Sequence, residues 1–178
     1  MTNSAEAPRG ARRSHRRVHA AVDAVLDVAA QKQAGSLEDI VRAVGDARRR
    51  PITVIVDDLA PGVWGQRRGF DDYDEIVLAR SLPSEARTLA HELGHIVFGH
   101  TGAPADDATV AVEDDLIAYM LGTAADDPDD TGPQLTPEEH ELQEWEAEAF
   151  AARLLQRLRQ LHRRHSLRPM LRYDEALG

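Results

Sequence analysis

Two histidines four residues apart, with a glutamate directly after the first, are the residues of this 178-residue chain best suited to chemistry: His91, Glu92 and His95 in the string HELGH. Residues four apart share one face of a helix, so both imidazoles can chelate a single Zn2+ ion. Glu92, beside them, can then serve as general base toward a zinc-activated water. At about 100° per residue, and taking His91 as zero, His95 falls near 40° and Glu92 near 100°. On the same wheel Ala86, Leu89, Leu93 and Val97 fall between about 160° and 240°, so an apolar stripe backs the polar cluster. Two histidines that matched the motif by accident would show no such coordination with the helix's amphipathic pattern.

Catalytic zinc takes three protein ligands and keeps one position open. The chain has no cysteine, so the third ligand must be a histidine or a carboxylate. An elongated HExxHxxGxxH pattern would supply a third histidine, but Gly99 and His100 each miss the required position by one, and His100 is not expected to ligate. The segment after Pro137 offers Glu144, Glu146 and Glu148. Glu144 and Glu148 share a helical face, so one can ligate while the other braces a histidine. The pairs His15/His19 and His162/His165 stand among arginines and read as solvated, and Tyr119 and His140 read as packed or solvated rather than as groups that stabilise an oxyanion.

The elements that must position these groups follow from periodicity. Val18, Val22, Val25 or Leu26, and Ala29 predict a first helix; Ser36 can cap a second, with Leu37, Ile40, Val41 and Val44 as its stripe and an end near Gly45. Ile52 to Val56 reads as a buried strand, and Val63–Gly69 with Glu75–Ala79 as a hairpin around Asp71, Asp72 and Asp74. The HELGH helix should run from Pro83, in its first turn, to a stop at Gly99. Thr136, Pro137 and Glu139 spell a capping box for a long helix to about Leu161, buried along Leu142, Trp145, Ala149, Ala152 and Leu155. The sum is an α+β fold: two N-terminal helices, a small three-stranded antiparallel sheet, the HELGH helix and a C-terminal helix carrying the glutamates.

One domain over residues 13–162 is expected, with a disordered basic tail at 1–12, an acidic excursion at 101–135 holding an apolar patch from Val110 to Leu121, and an exposed arginine-rich tail at 163–178. The formal charge is −10, but no Lys or Arg lies between Arg87 and Arg153, so the middle is acidic and both ends are basic. That disfavours a phosphate-reading surface at the centre, and leaves only the arm bearing Arg9, Arg12, Arg13, Arg16 and Arg17 for any nucleic-acid contact. Asp23 and Asp27 interrupt what would be a signal peptide's apolar run, and no stretch approaches a membrane span, so the expected compartment is the cytoplasm.

At HELGHIVFGH (91 to 100) and EWEAEAFA (144 to 151) the chain resembles the ImmA/IrrE family of metallo-endopeptidases, over about residues 36 to 158. The resemblance implies a zincin-like fold, with His91, His95 and Glu144 as zinc ligands, Glu92 as general base, and Glu148 in the place usually held by an Asn or Asp that orients a histidine. Glu146 stands as the fallback ligand. The family's usual Met-Pro after the second motif is Gln156 and Arg157 here. Relatives of this kind cleave or antagonise helix-turn-helix repressors encoded nearby, so the implied function is a zinc endopeptidase acting on such a protein. The alternative is a non-catalytic regulator, pinned by zinc, that sequesters a transcription factor. Because the Glu75–Ala79 strand leads into the motif helix, Ile76, Val77 and Leu78 are expected to pair with an extended substrate segment.

Overall fold

Val18, Val22, Val25 and Ala29 recur at helical spacing, and in the computed structural model all four are buried on α1 (His15–Gln31). The structure describes residues 13–100, 108–110 and 135–174, with side chains described at 13–100 and 135–163. Ser36 caps α2 (Leu37–Arg48), and its hydroxyl and the Asp39 carboxylate satisfy each other's backbone N–H groups. Gly45 does not stop this helix. A Cβ there would lie 2.8 Å from the Ile52 nitrogen, so glycine lets the next strand pass close by while α2 continues to a left-handed cap at Arg49.

The strands are β1 (Ile52–Asp57), β2 (Val63–Gly69), β3 (Asp74–Ala79) and β4 (Ala108–Val110), in the spatial order β1-β3-β2-β4. β2 runs antiparallel to β3 and β4, whereas β1 runs parallel to β3. The sheet is therefore four-stranded and mixed, not three-stranded and antiparallel. The physical reason lies in β3: Ile76, Val77 and Leu78 form an uninterrupted apolar run that needs cover on both faces, and all three are fully buried. β3 takes an inner position, and the chain reaches it from the far side through β2, which sets it parallel to β1. β1 is left as an edge, with Ile55 and Val56 36% and 53% exposed, and is not the buried strand its β-branched run suggests.

This topology removes Ile76, Val77 and Leu78 as a substrate-pairing strand. Their residues register with Val54 to Val56 on one side and with Arg67 to Gly65 on the other, so no free ladder of backbone groups remains for a third segment. Asp74, expected in the turn, opens β3 instead. It is buried between Arg48 (2.9 Å) and Arg50 (3.0 Å), which tie the hairpin to the end of α2.

α3 (Glu85–Phe98) carries the HELGH string. Ser84 caps it, so Pro83 precedes the cap instead of lying in the first turn, and Gly99 closes it at φ 66°. Thr88 to Ile96 are buried on every side because α3 lies between the sheet and the last helix. Ala86, expected in the stripe, is exposed near the helix start, and Val97 is half-buried. α4 (Pro137–Asp174) begins with the expected box: the Glu139 N–H donates to Thr136 Oγ1 at 3.2 Å, and the Thr136 N–H to Glu139 Oε2 at 2.9 Å. It continues well past Leu161 through the arginine-rich segment, whose Arg and Leu residues are strong helix formers.

The buried face of α4 is Ala147, Phe150, Ala151 and Leu154. Of the expected stripe, Leu142, Trp145, Ala149 and Leu155 are half-buried and Ala152 is exposed. The rotation follows from close packing on α3: a Cβ on Gly94 would come within 3.1 Å of the Ala147 Cα, so small residues set the contact line. Residues of α1, α2, β1, β3, α3 and α4 share one apolar core. Of the acidic excursion, Ala108–Val110 forms β4; the rest of the Val110–Leu121 patch, like the 1–12 tail, lies outside the described residues. No helix among the described residues is long and apolar enough to cross a membrane.

Candidate metal centre

The helical spacing of HELGH brings the Nε2 atoms of His91 and His95 to 2.9 Å from each other. α4 then sets Glu144 across them, with one carboxylate oxygen 3.4 Å from His91 Nε2 and the other 3.3 Å from His95 Nε2. The three donors form a group able to hold a metal ion. Both imidazoles are nearly inaccessible, at 5% and 4% exposure, while the Glu144 side chain is 41% exposed, so solvent reaches the cluster from the glutamate side. Two imidazole nitrogens and one carboxylate are the donor set that suits zinc, and they leave a coordination position over.

The other two glutamates of α4 separate sharply. Glu148 lies 3.7 Å from His91 Nδ1, on the edge away from Glu144, and also pairs with Arg87. It thus stands where a group steadying His91 should stand. Glu146 points elsewhere: its carboxylate takes hydrogen bonds from Arg17 Nη1 at 2.6 and 2.8 Å and lies 3.1 Å from His100 Nε2. As a fallback ligand it is ruled out by these partners, since a group two residues from Glu144 on a helix faces away from it.

Glu92 has no exposed surface, because β2 passes directly over it. A Cβ on Gly65 would lie 2.7 Å from Glu92 Oε1 and 2.6 Å from the Thr88 methyl, so only glycine leaves room for the carboxylate at that point. Gly65→Ala should displace Glu92 at a cost in stability of about 1–3 kcal/mol. Affinity for a metal ion, carried by other residues, should change little. Thermal denaturation beside isothermal titration with Zn2+ reads both, and a large loss of metal affinity would contradict this separation of roles.

Charge in the cluster is distributed unevenly. Burial works against a proton on His91, but hydrogen bonding to Glu144 and Glu148 and the charge of Glu92 outweigh it, and its pKa is raised. His95 moves the other way: burial and the neighbouring His91 charge push its pKa down and keep it neutral. Burial opposes ionisation of Glu144 too, yet its hydrogen bond with His91 and the charge there hold its carboxyl below the usual range. Charge in the cluster thus favours a proton on His91, and metal binding is coupled to its release.

Sequence reasoning missed His100 and Arg17. His100, one residue past the helix-closing Gly99, is 6% exposed and its Nδ1 lies 2.9 Å from His95 Nδ1. Its failure to fit the third-ligand register hid this different use. Arg17, expected in an arm left for nucleic-acid contact, meets Glu146, and Arg13 pairs with Glu141 and lies 5.9 Å from the Trp145 ring centroid. Two of the arm's arginines are thus engaged with α4. His140 is exposed, and Tyr119 lies outside the described residues. In comparisons with known proteins, no family model and no curated protein sequence matches the chain.

Proposed function

We propose that this chain is a zinc-dependent endopeptidase of zincin-like design, resembling ImmA/IrrE peptidases, whose substrate is a helix-turn-helix repressor encoded nearby. The observation that carries the proposal is the convergence of His91 Nε2, His95 Nε2 and a Glu144 carboxylate beside a buried Glu92. A divalent cation bound by these donors would supply Lewis acidity, polarising a peptide carbonyl and lowering the pKa of the attacking water toward neutrality. Glu92 takes the proton of the attacking water and passes it to the leaving amine. Its enclosure beneath Gly65 fixes where that proton is received. Glu144 meets both histidines, and Glu148 meets His91 from its opposite edge.

The test uses the purified chain and the helix-turn-helix protein encoded beside its gene. Cleavage should occur with zinc, stop when a chelator strips the metal, and return when zinc is restored. Cleavage that persists under chelation would overturn the metallopeptidase reading. Tight complex formation without cleavage would favour the sequestering regulator instead.

A further inference from the structure

A metal-binding imidazole must present a lone pair, and which nitrogen does so depends on what its other nitrogen meets. His95 faces the cluster with Nε2, and its Nδ1 meets His100 Nδ1 at 2.9 Å. Two ring nitrogens at that distance need one proton between them, and for a neutral His100 hydrogen-bond accounting decides which ring carries it. The Glu146 carboxylate already accepts twice from Arg17 and has nothing to donate, so His100 must donate to it from Nε2. A neutral His100 then has a lone pair on Nδ1, and His95 must supply the proton. That leaves His95 Nε2 bare on the side where His91 and Glu144 converge. The opposite assignment would put a proton on His95 Nε2, in the position a cation needs.

We propose that His100, oriented by Glu146 and Arg17, is a positioning residue that holds His95 in its Nδ1-protonated tautomer and so sets the affinity of the centre for its metal. The inference rests on the metal reading above. It means that α4 grips His95 from both edges, directly through Glu144 and through His100 by way of Glu146. It also means that α1 reaches the centre through Arg17. The setting restrains His100 further: Phe98 stacks on its ring at 5.4 Å, and the Arg17 guanidinium lies 4.9 Å from the Phe98 ring centroid. A buried glutamate, 2% exposed, is costly to keep charged in a core, and an apolar side chain would pack there as well if packing were its whole task.

The experiment compares the full chain with His100→Phe, which keeps a ring against Phe98 but offers no acceptor, and with His100→Asn, whose Oδ1 falls near the original Nδ1. Zinc affinity is read by competition with a chromophoric chelator. The tautomer is read from long-range proton–nitrogen correlations of metal-free protein labelled with 15N-histidine. His100→Phe should bind zinc about 10–100-fold more weakly, as changes to groups behind a metal ligand do. The signal of a proton on His95 Nδ1 should be shifted or lost. His100→Asn should recover most of the affinity and the signal. If His100→Phe does not fold, the double variant Arg17→Met with Glu146→Leu, which exchanges the buried carboxylate and its partly exposed arginine for apolar groups, should give the same weakening. Unchanged affinity and tautomer in His100→Phe or, if that variant does not fold, in the double variant, or a loss that His100→Asn does not repair, would overturn the positioning role alone. Failure of the wild-type chain to bind zinc would overturn the centre itself.

Discussion

If the proposed peptidase mechanism holds, Glu92→Gln should retain zinc while turnover falls by about 10²- to 10⁴-fold, the usual contribution of a positioned general base. The side chains are nearly the same size, and the space beneath Gly65 that admits one carboxylate oxygen admits the amide. His91, His95 and Glu144 do not depend on Glu92 for their mutual distances, so the donor set survives. The amide cannot accept the proton of an attacking water, and it also withdraws the charge that Glu92 places beside His91. Zinc content by elemental analysis, measured beside cleavage of the repressor, checks both halves. Normal cleavage by this variant would remove Glu92 from the mechanism. Loss of zinc together with activity would show that the glutamate holds the centre rather than serving it.

The second large effect is expected at Glu144. Glu144→Ala withdraws one of three donors and the only one from α4, so zinc affinity should fall by more than the roughly 10–100-fold typical of groups behind the ligands. Its stability cost should be small. Glu144 is partly exposed, and with the carboxylate gone two buried histidines remain, of which His95 is already held neutral. Retained zinc affinity in Glu144→Ala would overturn the assignment of the third ligand. Glu146→Ala is the informative contrast. It should destabilise the fold by stranding Arg17 and His100, and should lower zinc affinity less than Glu144→Ala, because Glu146 acts on the metal only through His95.

How far the sequence carried the reading can be judged element by element. α1 and α2 were legible because their apolar residues repeat at one period and Ser36 sits where a cap must sit. The capping box at Thr136 and the stop at Gly99 were legible for the same local reason. The sheet was misread where the answer depended on neighbours. β1 and β3 are both short apolar runs, and only their pairing partners decide that β3 lies inside and β1 at an edge. The uninterrupted Ile76-Val77-Leu78 run does carry a signal for an inner strand, and an inner strand has no free edge for a substrate to pair with. The buried face of α4 was misplaced because alternation along one helix does not disclose where Gly94 of another helix allows close approach.

By itself the sequence determined the chemistry on offer: two imidazoles and a carboxylate within one turn of helix, three further glutamates on another, and no thiol. These follow from residue type and the 3.6-residue turn, which are local properties. Only the tertiary structure decided the partners. It turned Glu144 toward the paired histidines, sent Glu146 to Arg17 and His100, and covered Glu92 with a glycine from β2. Those choices depend on the angle and distance at which α4 and the sheet pack against α3, and packing geometry is a sum over many contacts distant in the chain that no local pattern encodes.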